Sequence, residues 1–538
     1  MNNKAIANKF NLLGKLLELQ GENPFKTRSY SSAYMTIRKL PDPLFDMSEE
    51  EIRAIPGFGK AIQEKVFELK ANGEISALQE IIDITPPGIV EMLMIKGLGP
   101  KKVKQLWEEL EIESPGELLY ACTENRLVDL KGFGEKTQKS IKDQIEYHLS
   151  SKGKFHYATI EQIAFDLVRT LNERFPMETI ELAGKIARRC TILEQIELLG
   201  TVSEENLEEW RNEEEEFEYE GVPFFYTETD EESFWVNHIE MSSEEEYLET
   251  YSELLDSTGY DELEVFENAG LNYHPPYLRE KENLPWLCKT TFDESQIIND
   301  ESIKGVVHNH STYSDGVNTL GQMAEETAKL GYEYLAMTDH SKSAFYANGL
   351  SEERLYAQID EIKEINAKSS IHVFSGIESD ILHNGDLDYA DDVLAALDVV
   401  VASVHSVLKM DIAKATSRLI TAIENPYTHI LGHPTGRLLL SRKGYPVDFN
   451  KVIDACAANG VVIEMNANPY RLDMDWRYIA QAMEKGVMIS INPDAHSIAG
   501  IKDIHFGVMA ASKGGLTRDM CLNTKDLKGF KSWIESKY

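Results

Sequence analysis

Residues 305–316 read GVVHNHSTYSDG: a short β-branched run closes on His308 and His310, and Asp315 follows in a loop of small polar residues. The pattern recurs downstream in YLAMTDH (334–340), IHVFSGIESD (371–380), VVVASVH (399–405), THILGHP (428–434), GVVIEMNANP (460–469) and VMISINPDAH (487–496). Helical stretches such as SEERLYAQIDEIKEINA (351–367) lie between these runs. Continuous apolar runs alternating with helices predict buried parallel strands in a β/α fold.

The polar residues concentrate at the C-terminal ends of the runs: His308, His310 and Asp315, then Asp339 and His340, Glu378, His405, His433, and finally Asp494 and His496. In a parallel β/α barrel those ends converge on one face, where such folds place their chemistry. Imidazoles and carboxylates without thiolates suit zinc, manganese or iron. So many groups exceed the needs of one zinc ion and imply two or three ions. Such a site activates water and clamps a phosphoryl group, so the expected reaction is phosphoester hydrolysis without a covalent intermediate. A single histidine is ordinarily a satisfied core or surface residue, and His372, His383, His429 and His505 lack the strand-end placement. Arg437 in GHPTGRLLL and Arg471 in NPYRLDM follow strand ends and either grip substrate phosphates or form loop salt bridges.

At 538 residues the chain calls for several domains. It has no long apolar run, and MNNKAIANKF lacks a signal-peptide core, so a soluble cytoplasmic protein without membrane attachment is expected. Its five cysteines are scattered without C-x-x-C spacing, which argues against a disulfide framework or a zinc-thiolate site. The net charge of −37 is unevenly distributed. Residues 1–160 carry 22 Lys/Arg against 23 Asp/Glu, whereas residues 204–267 carry 25 acids against Arg211 alone. That acidic segment repels phosphate and is a candidate surface for a protein partner.

Three stretches share a centre of apolar-x-Gly-apolar-Gly: AIPGFGKAIQEKVFEL from Ala54, MIKGLGPKKVKQLWEEL from Met94 and DLKGFGEKTQKSI from Asp129. Each opens a Lys-bearing helix. Gly57 and Gly59, Gly97 and Gly99, and Gly132 and Gly134 let the backbone approach a ligand, and the helix-start N–H groups face an anion. Lys60, Lys101, Lys102 and Lys136 stand where a strand phosphate would lie. This is the helix-hairpin-helix pattern, which grips the DNA backbone without reading bases.

HNHSTYSDG, TDHS, GIESD, SVH, GHPTGR and DAHS resemble, in order, the motifs of the polymerase-and-histidinol-phosphatase (PHP) family. That resemblance assigns the metal ligands to His308, His310, Asp315, His340, Glu378, His405, His433, Asp494 and His496. It implies a distorted (β/α)7 barrel with a trinuclear manganese or zinc centre. Asp339 is then an adjacent carboxylate, and Asp339 and Arg437 are the candidate catalytic residues outside the metal set. The chain as a whole resembles the bacterial family X DNA polymerases that carry a C-terminal PHP domain. The resemblance implies an N-terminal helical domain with the first hairpin (1–80), tandem hairpins (81–150), an α+β nucleotidyltransferase-like palm and thumb (151–290) and the PHP domain (296–538); HPPYLREKENLPWL (274–287) is Pro-containing and by its own composition reads as a connector.

In the palm the resemblance breaks down. AGKIARRCTILEQIELL (183–199) puts Lys185 at the family's Ser position, Gln195 at the first Asp and Glu197 at the second. The third Asp falls on Phe225, and the nucleotide-gripping Thr-Gly-Ser becomes Ser242-Ser243-Glu244. An amide cannot bridge hard cations as a carboxylate does, and Phe supplies no oxygen, so magnesium is not expected there. Lys65 is the candidate for the family's deoxyribose-phosphate lyase lysine. The expected function is a monomeric DNA-binding phosphoesterase, acting as a 3′→5′ exonuclease or 3′-end or abasic-site processing enzyme in repair on gapped or nicked duplex. One alternative is a gap-filling polymerase with an unorthodox palm. Another is a small-molecule phosphatase whose helical region binds protein.

Overall fold

Glycine at a positive φ fixes the three hairpins. The computed structural model describes residues 3–40, 43–95, 97–128, 130–150, 153–212, 215–289 and 292–537. Gly57, Gly97 and Gly132 adopt φ of 86°, 88° and 91°, a conformation costly to residues with a Cβ. Each repeat then enters a helix, Lys60–Asn72, Pro100–Leu110 and Glu135–Ser150. The helix Asn3–Leu19 buries Ile6, Phe10, Leu13 and Leu17, the i, i+3/i+4 stripe of an amphipathic helix. It crosses Pro24–Ile37 closely at Gly14, where a Cβ would come 3.0 Å from that of Tyr30.

By contact the chain forms two units: residues up to Cys122 with Leu127–Leu149, and Thr123–Arg126 with Ser150–Tyr538. The expected helical regions, 1–80 and 81–150, lie in the first unit apart from residues 123–126 and 150. The expected palm and PHP regions also fall together, over a shared core running from Phe155, Leu193 and Ile196 to Ile491 and Cys521. Within the segment 274–287, expected as a connector, Arg279, Glu280 and Asn283 are buried. Lys513 Nζ donates to Glu280 Oε1 at 2.5 Å, and Arg279 donates to both oxygens of Glu262 at 2.9 and 2.6 Å. Its charges are paired across elements, which sequence composition does not show.

The middle region opens with a two-stranded pair, β1 (Phe155–His156) and β3 (Ile192–Leu193). Its sheet has the order β2 (Ile180–Leu182), β4 (Ile196–Gly200), β6 (Val222–Glu228) and β5 (Glu218–Tyr219), with β4 and β6 parallel. Helix Tyr157–Arg174 buries Ile160, Ala164, Leu167 and Leu171.

The third sheet has seven parallel strands in sequential order: β7 (Gly305–Val306), β8 (Tyr334–Met337), β9 (His372–Asp380), β10 (Val399–Ser403), β11 (Ile430–Leu431), β12 (Val462–Asn466) and β13 (Ile489–Asn492). A parallel bridge between Asn309 and Ala495 brings its two edges together, so the sheet is a nearly closed barrel. Unbroken apolar runs supply these strands because both of their faces are covered. Among the described residues no helix is long and apolar enough to cross a membrane.

Candidate metal centre

The strand ends of the barrel bring the nine predicted ligands together, with Glu378 at the hub. Glu378 lies within β9 rather than beyond it, since that strand continues to Asp380. Its Oε1 is 3.2 Å from His308 Nε2, 3.0 Å from His405 Nε2 and 2.9 Å from His433 Nε2. Its Oε2 is 2.8 Å from His340 Nδ1 and 3.7 Å from His310 Nε2. Asp494 Oδ1 approaches His310 Nε2 at 3.0 Å and His308 Nε2 at 3.6 Å. Asp315 spans His340 and His496, at 3.6 and 3.3 Å. His308, His433 and Asp494 adopt φ of 62°, 22° and 53°, a strained region for non-glycine residues that is found at functional sites.

These residues fit metal ions. His308 Nε2, His310 Nδ1, both oxygens of Asp315, both ring nitrogens of His340, Glu378 Oε2, His433 Nδ1 and His496 Nε2 are buried and make no hydrogen bond among the described residues. Orphaned buried polar atoms are rare and costly, so their convergence calls for a partner of another kind. Four overlapping groups together include all nine residues: His310, Asp315, His340 and His496; His308, His310 and Glu378; His308, His433 and Asp494; His340, Glu378 and His405. Groups that overlap in this way would suit more than one ion, since His308, His310, His340 and Glu378 each belong to two of them.

The electrostatics agree. Burial opposes ionisation of Glu378, but the His405, His308 and His340 imidazoles hold its carboxyl far below the usual range. Asp494 and Asp315 are pulled down against burial in the same way, by His308 and by His496 and His340. Burial disfavours charged imidazoles, yet facing carboxylates lift His308 well above its ordinary value and push His405 and His496 up to about 10. His310 and His433 stay below theirs, first through burial and then through neighbouring positive groups.

A surrounding layer fixes which ring nitrogen points inward. Glu464 Oε2 lies 2.6 Å from His308 Nδ1, Asp380 Oδ1 pairs with His405 Nδ1, and the Asp494 carbonyl is 2.9 Å from His496 Nδ1. In each case Nε2 is left to face the cluster. Glu464 is fully buried and also accepts from His433 N and Asn492 Nδ2, at 3.0 and 2.8 Å. Sequence reading missed Glu464 and Asp380, although both lie inside predicted strands and Asp380 stands i+2 from Glu378, on the same face. It also missed Glu124, which forms a further group with Asp494 and His496.

Asp339 is fully buried and accepts from Ser311 N and Oγ, Ser314 N and Oγ, and Gln358 Nε2. It thereby secures the loop that carries Asp315. Arg437 pairs with Asp475 Oδ2 at 2.5 Å and donates to the carbonyls of Arg471 and Leu472. Arg471 Nη1 reaches Asp494 Oδ2 at 3.1 Å.

In the helical unit, Gly59 and Gly99 precede helices without a side-chain cap. A Cβ built on any of the six hairpin glycines meets nothing within 4 Å. Gly59 and Gly99 have negative φ, −69° and −88°, so open space rather than strain distinguishes these two positions. Lys60, Lys101 and Lys136 are exposed, Lys102 lies 5.6 Å from the Phe133 ring, and Lys65 is half-buried on the first of these helices.

In the middle sheet, Glu197 of β4 and Phe225 of β6 are register partners, and Phe225 is 52% exposed. Gln195 stands just before β4. Glu197 Oε2 accepts from Lys185 N at 2.5 Å, and Lys185 Nζ donates to Glu194 Oε2 at 2.8 Å. Ser242 Oγ accepts from Gly184 N at 3.0 Å.

Residues 1–75 match the family described as helix-hairpin-helix domain, residues 89–146 the SAM-like helix-hairpin-helix tandem, and residues 307–471 the PHP domain. The chain is 31% identical to the DNA polymerase/3′-5′ exonuclease PolX of Bacillus subtilis (strain 168), over 99% of this chain and 100% of that protein. It is 30% identical to a probable phosphatase of Thermoanaerobacter sp. (strain X514), over 43% of this chain and 94% of that protein. Among solved structures, the histidinol phosphate phosphatase of Lactococcus lactis, complexed with zinc, L-histidinol and phosphate, matches 40% of this chain and 94% of its own at 15% identity, with a TM-score of 0.30.

Proposed function

The chain belongs to the family of the DNA polymerase/3′-5′ exonuclease PolX, and from that premise we propose that it binds DNA through its hairpins, hydrolyses phosphoesters at 3′ ends through the barrel centre, and no longer extends them. The convergence of nine ion-seeking side chains at the strand ends carries this reading. When bound, two or three manganese or zinc ions supply Lewis acidity toward a phosphoryl group and an activated water. The chain's own residues orient the donors. Glu378 bridges the imidazoles, while Glu464 and Asp380 hold His308 and His405 with Nε2 inward. Asp339 fixes the Asp315 loop, Arg471 steadies Asp494, and Arg437 ties down the loop that carries Arg471. Asp339 and Arg437 are positioning residues on this reading, since their partners are protein groups.

The middle sheet supports the loss of synthesis. Glu197, at the position of a metal-holding acid, accepts a backbone N–H at a short helix, and its register partner is Phe225. The site thus offers magnesium no paired carboxylates, and the Gly184 and Lys185 N–H groups that could face a nucleotide phosphate are already bonded to Ser242 and Glu197. The acidic segment 204–267 further repels a nucleotide triphosphate and suits a basic protein partner.

A gapped duplex labelled at both ends of the gap, incubated with manganese and deoxynucleotides, tests synthesis and degradation together. The expected outcome is shortening from the 3′ end without extension, with shortening abolished in His308→Ala and Asp494→Ala. Undiminished shortening in those variants would refute the site, and incorporation that disappears with Glu197→Ala would establish a working palm instead.

A further inference from the structure

Residues 123–126 group by contact with the second unit, apart from the helical residues on either side of them. Within this segment Glu124 is 1% exposed and its Oε1 lies 3.5 Å from His496 Nδ1. That oxygen is buried without a hydrogen bond among the described residues, and its carboxylate forms a potential ion-holding group with Asp494 and His496. The other oxygen accepts from Arg126 Nη2 at 2.6 Å. The Arg126 guanidinium in turn lies 5.0 Å over the ring of Tyr346, whose buried hydroxyl has no hydrogen-bond partner among the described residues.

A carboxylate with one oxygen beside Asp494 and His496, at the edge of the ion-binding cluster, and the other held by a guanidinium is placed as a substrate phosphate would be. Both are anions that accept from a planar fork, and Arg126 offers the geometry that phosphate takes bidentately. The nine other residues already supply ample donors for two or three ions, and catalytic ions need an open position for substrate. An extra buried anion facing Asp494 and His496 competes for that position. We propose that Glu124 is an internal occupant of the phosphoryl subsite and that Arg126 is the residue which grips the substrate phosphate once Glu124 is displaced. This rests on the phosphoesterase reading of the barrel, and it adds a phosphate-binding residue drawn from outside the barrel sequence.

Titration of the manganese-loaded full-length protein with inorganic phosphate, followed by calorimetry, tests it, with bound manganese counted by elemental analysis. Glu124→Gln keeps the shape and removes the charge, so phosphate should bind about tenfold more tightly; Arg126→Gln should weaken it about tenfold, one charge-assisted hydrogen-bonded pair in each case. Arg126→Lys should fall between, because it keeps the charge without the fork. All variants should hold as many manganese ions as the unmodified chain. A gain of affinity in Glu124→Gln cannot arise from a misfolded protein. Unchanged phosphate affinity in Arg126→Gln would overturn the proposal, as would weaker phosphate binding or a lost manganese ion in Glu124→Gln. Absence of manganese-dependent phosphate binding in the unmodified chain would instead overturn the phosphoesterase reading beneath it.

Discussion

Two kinds of buried carboxylate in this molecule answer to different tests. Glu464 and Asp380 face outer ring nitrogens, at His308 Nδ1 and His405 Nδ1. Partners of this kind fix the tautomer and raise ligand basicity, so Glu464→Gln and Asp380→Asn should each weaken manganese binding by about 10- to 100-fold. Competition with a chelating dye measures this, and unaltered affinity in both variants would remove them from the ion site. Glu262 is structural. Burial would raise its carboxyl, but Arg279 and His238 draw it down to about 2 from an ordinary 4.5. Removing its charge leaves the fully buried Arg279 unpaired, which costs about 3–5 kcal/mol. Because the folded value is depressed, this contribution is complete above pH 4.5 and is lost as pH falls toward 2. Urea unfolding should therefore separate Glu262→Gln widely from the unmodified chain at pH 7 and progressively less in acid. A gap that stays constant across that range would contradict the assignment.

At the scale of elements, the strands and hairpins were readable because each carries its periodicity and its special residues together. The runs ending in His308, His340, His405, His433 and Asp494 are short, apolar and closed by ligands, and the strands lie in the order in which the runs occur. The hairpin glycines 57, 97 and 132 repeat one positive φ, and only glycine adopts it cheaply. Less legible were groups whose partners come from distant sequence. Glu464 lies 156 residues from His308, and Glu124 approaches His496 with no local pattern to announce it. Arg437 was ambiguous for the same reason, since its partner Asp475 lies in another loop. The hairpins admit an independent test. Changing Lys60, Lys101, Lys102 and Lys136 to Gln should weaken duplex binding and flatten its salt dependence by about 0.9 in the log–log slope for each phosphate that is no longer neutralised. Fluorescence anisotropy at several salt concentrations measures this, and an unaltered slope would take these lysines off the DNA.

For the whole molecule, the formal charge of −37 conceals a nearly neutral first 160 residues and an acidic segment at 204–267. DNA contact is therefore assigned to a part of the chain that the overall composition would have excluded. The same separation applies to ion binding. All nine predicted ligands lie between His308 and His496, in the unit whose core is continuous from Phe155 to Cys521. An ion that binds only the folded unit stabilises it by about 2.7 kcal/mol when present at about a hundred times its dissociation constant. Because β1, β3 and β4 share core with the barrel, that stabilisation should reach the middle strands as well as the strand ends around the ions. Hydrogen exchange with manganese, and again after chelation, should show increased protection in peptides from β4 and from β7–β13. Peptides from the helices Asn3–Leu19 and Lys60–Asn72 belong to the other unit and carry none of the ligands, so their exchange should not change. Protection that rose equally in those helices would mean that the two units unfold as one, and protection confined to the barrel would mean that the core shared with the middle strands does not transmit the gain.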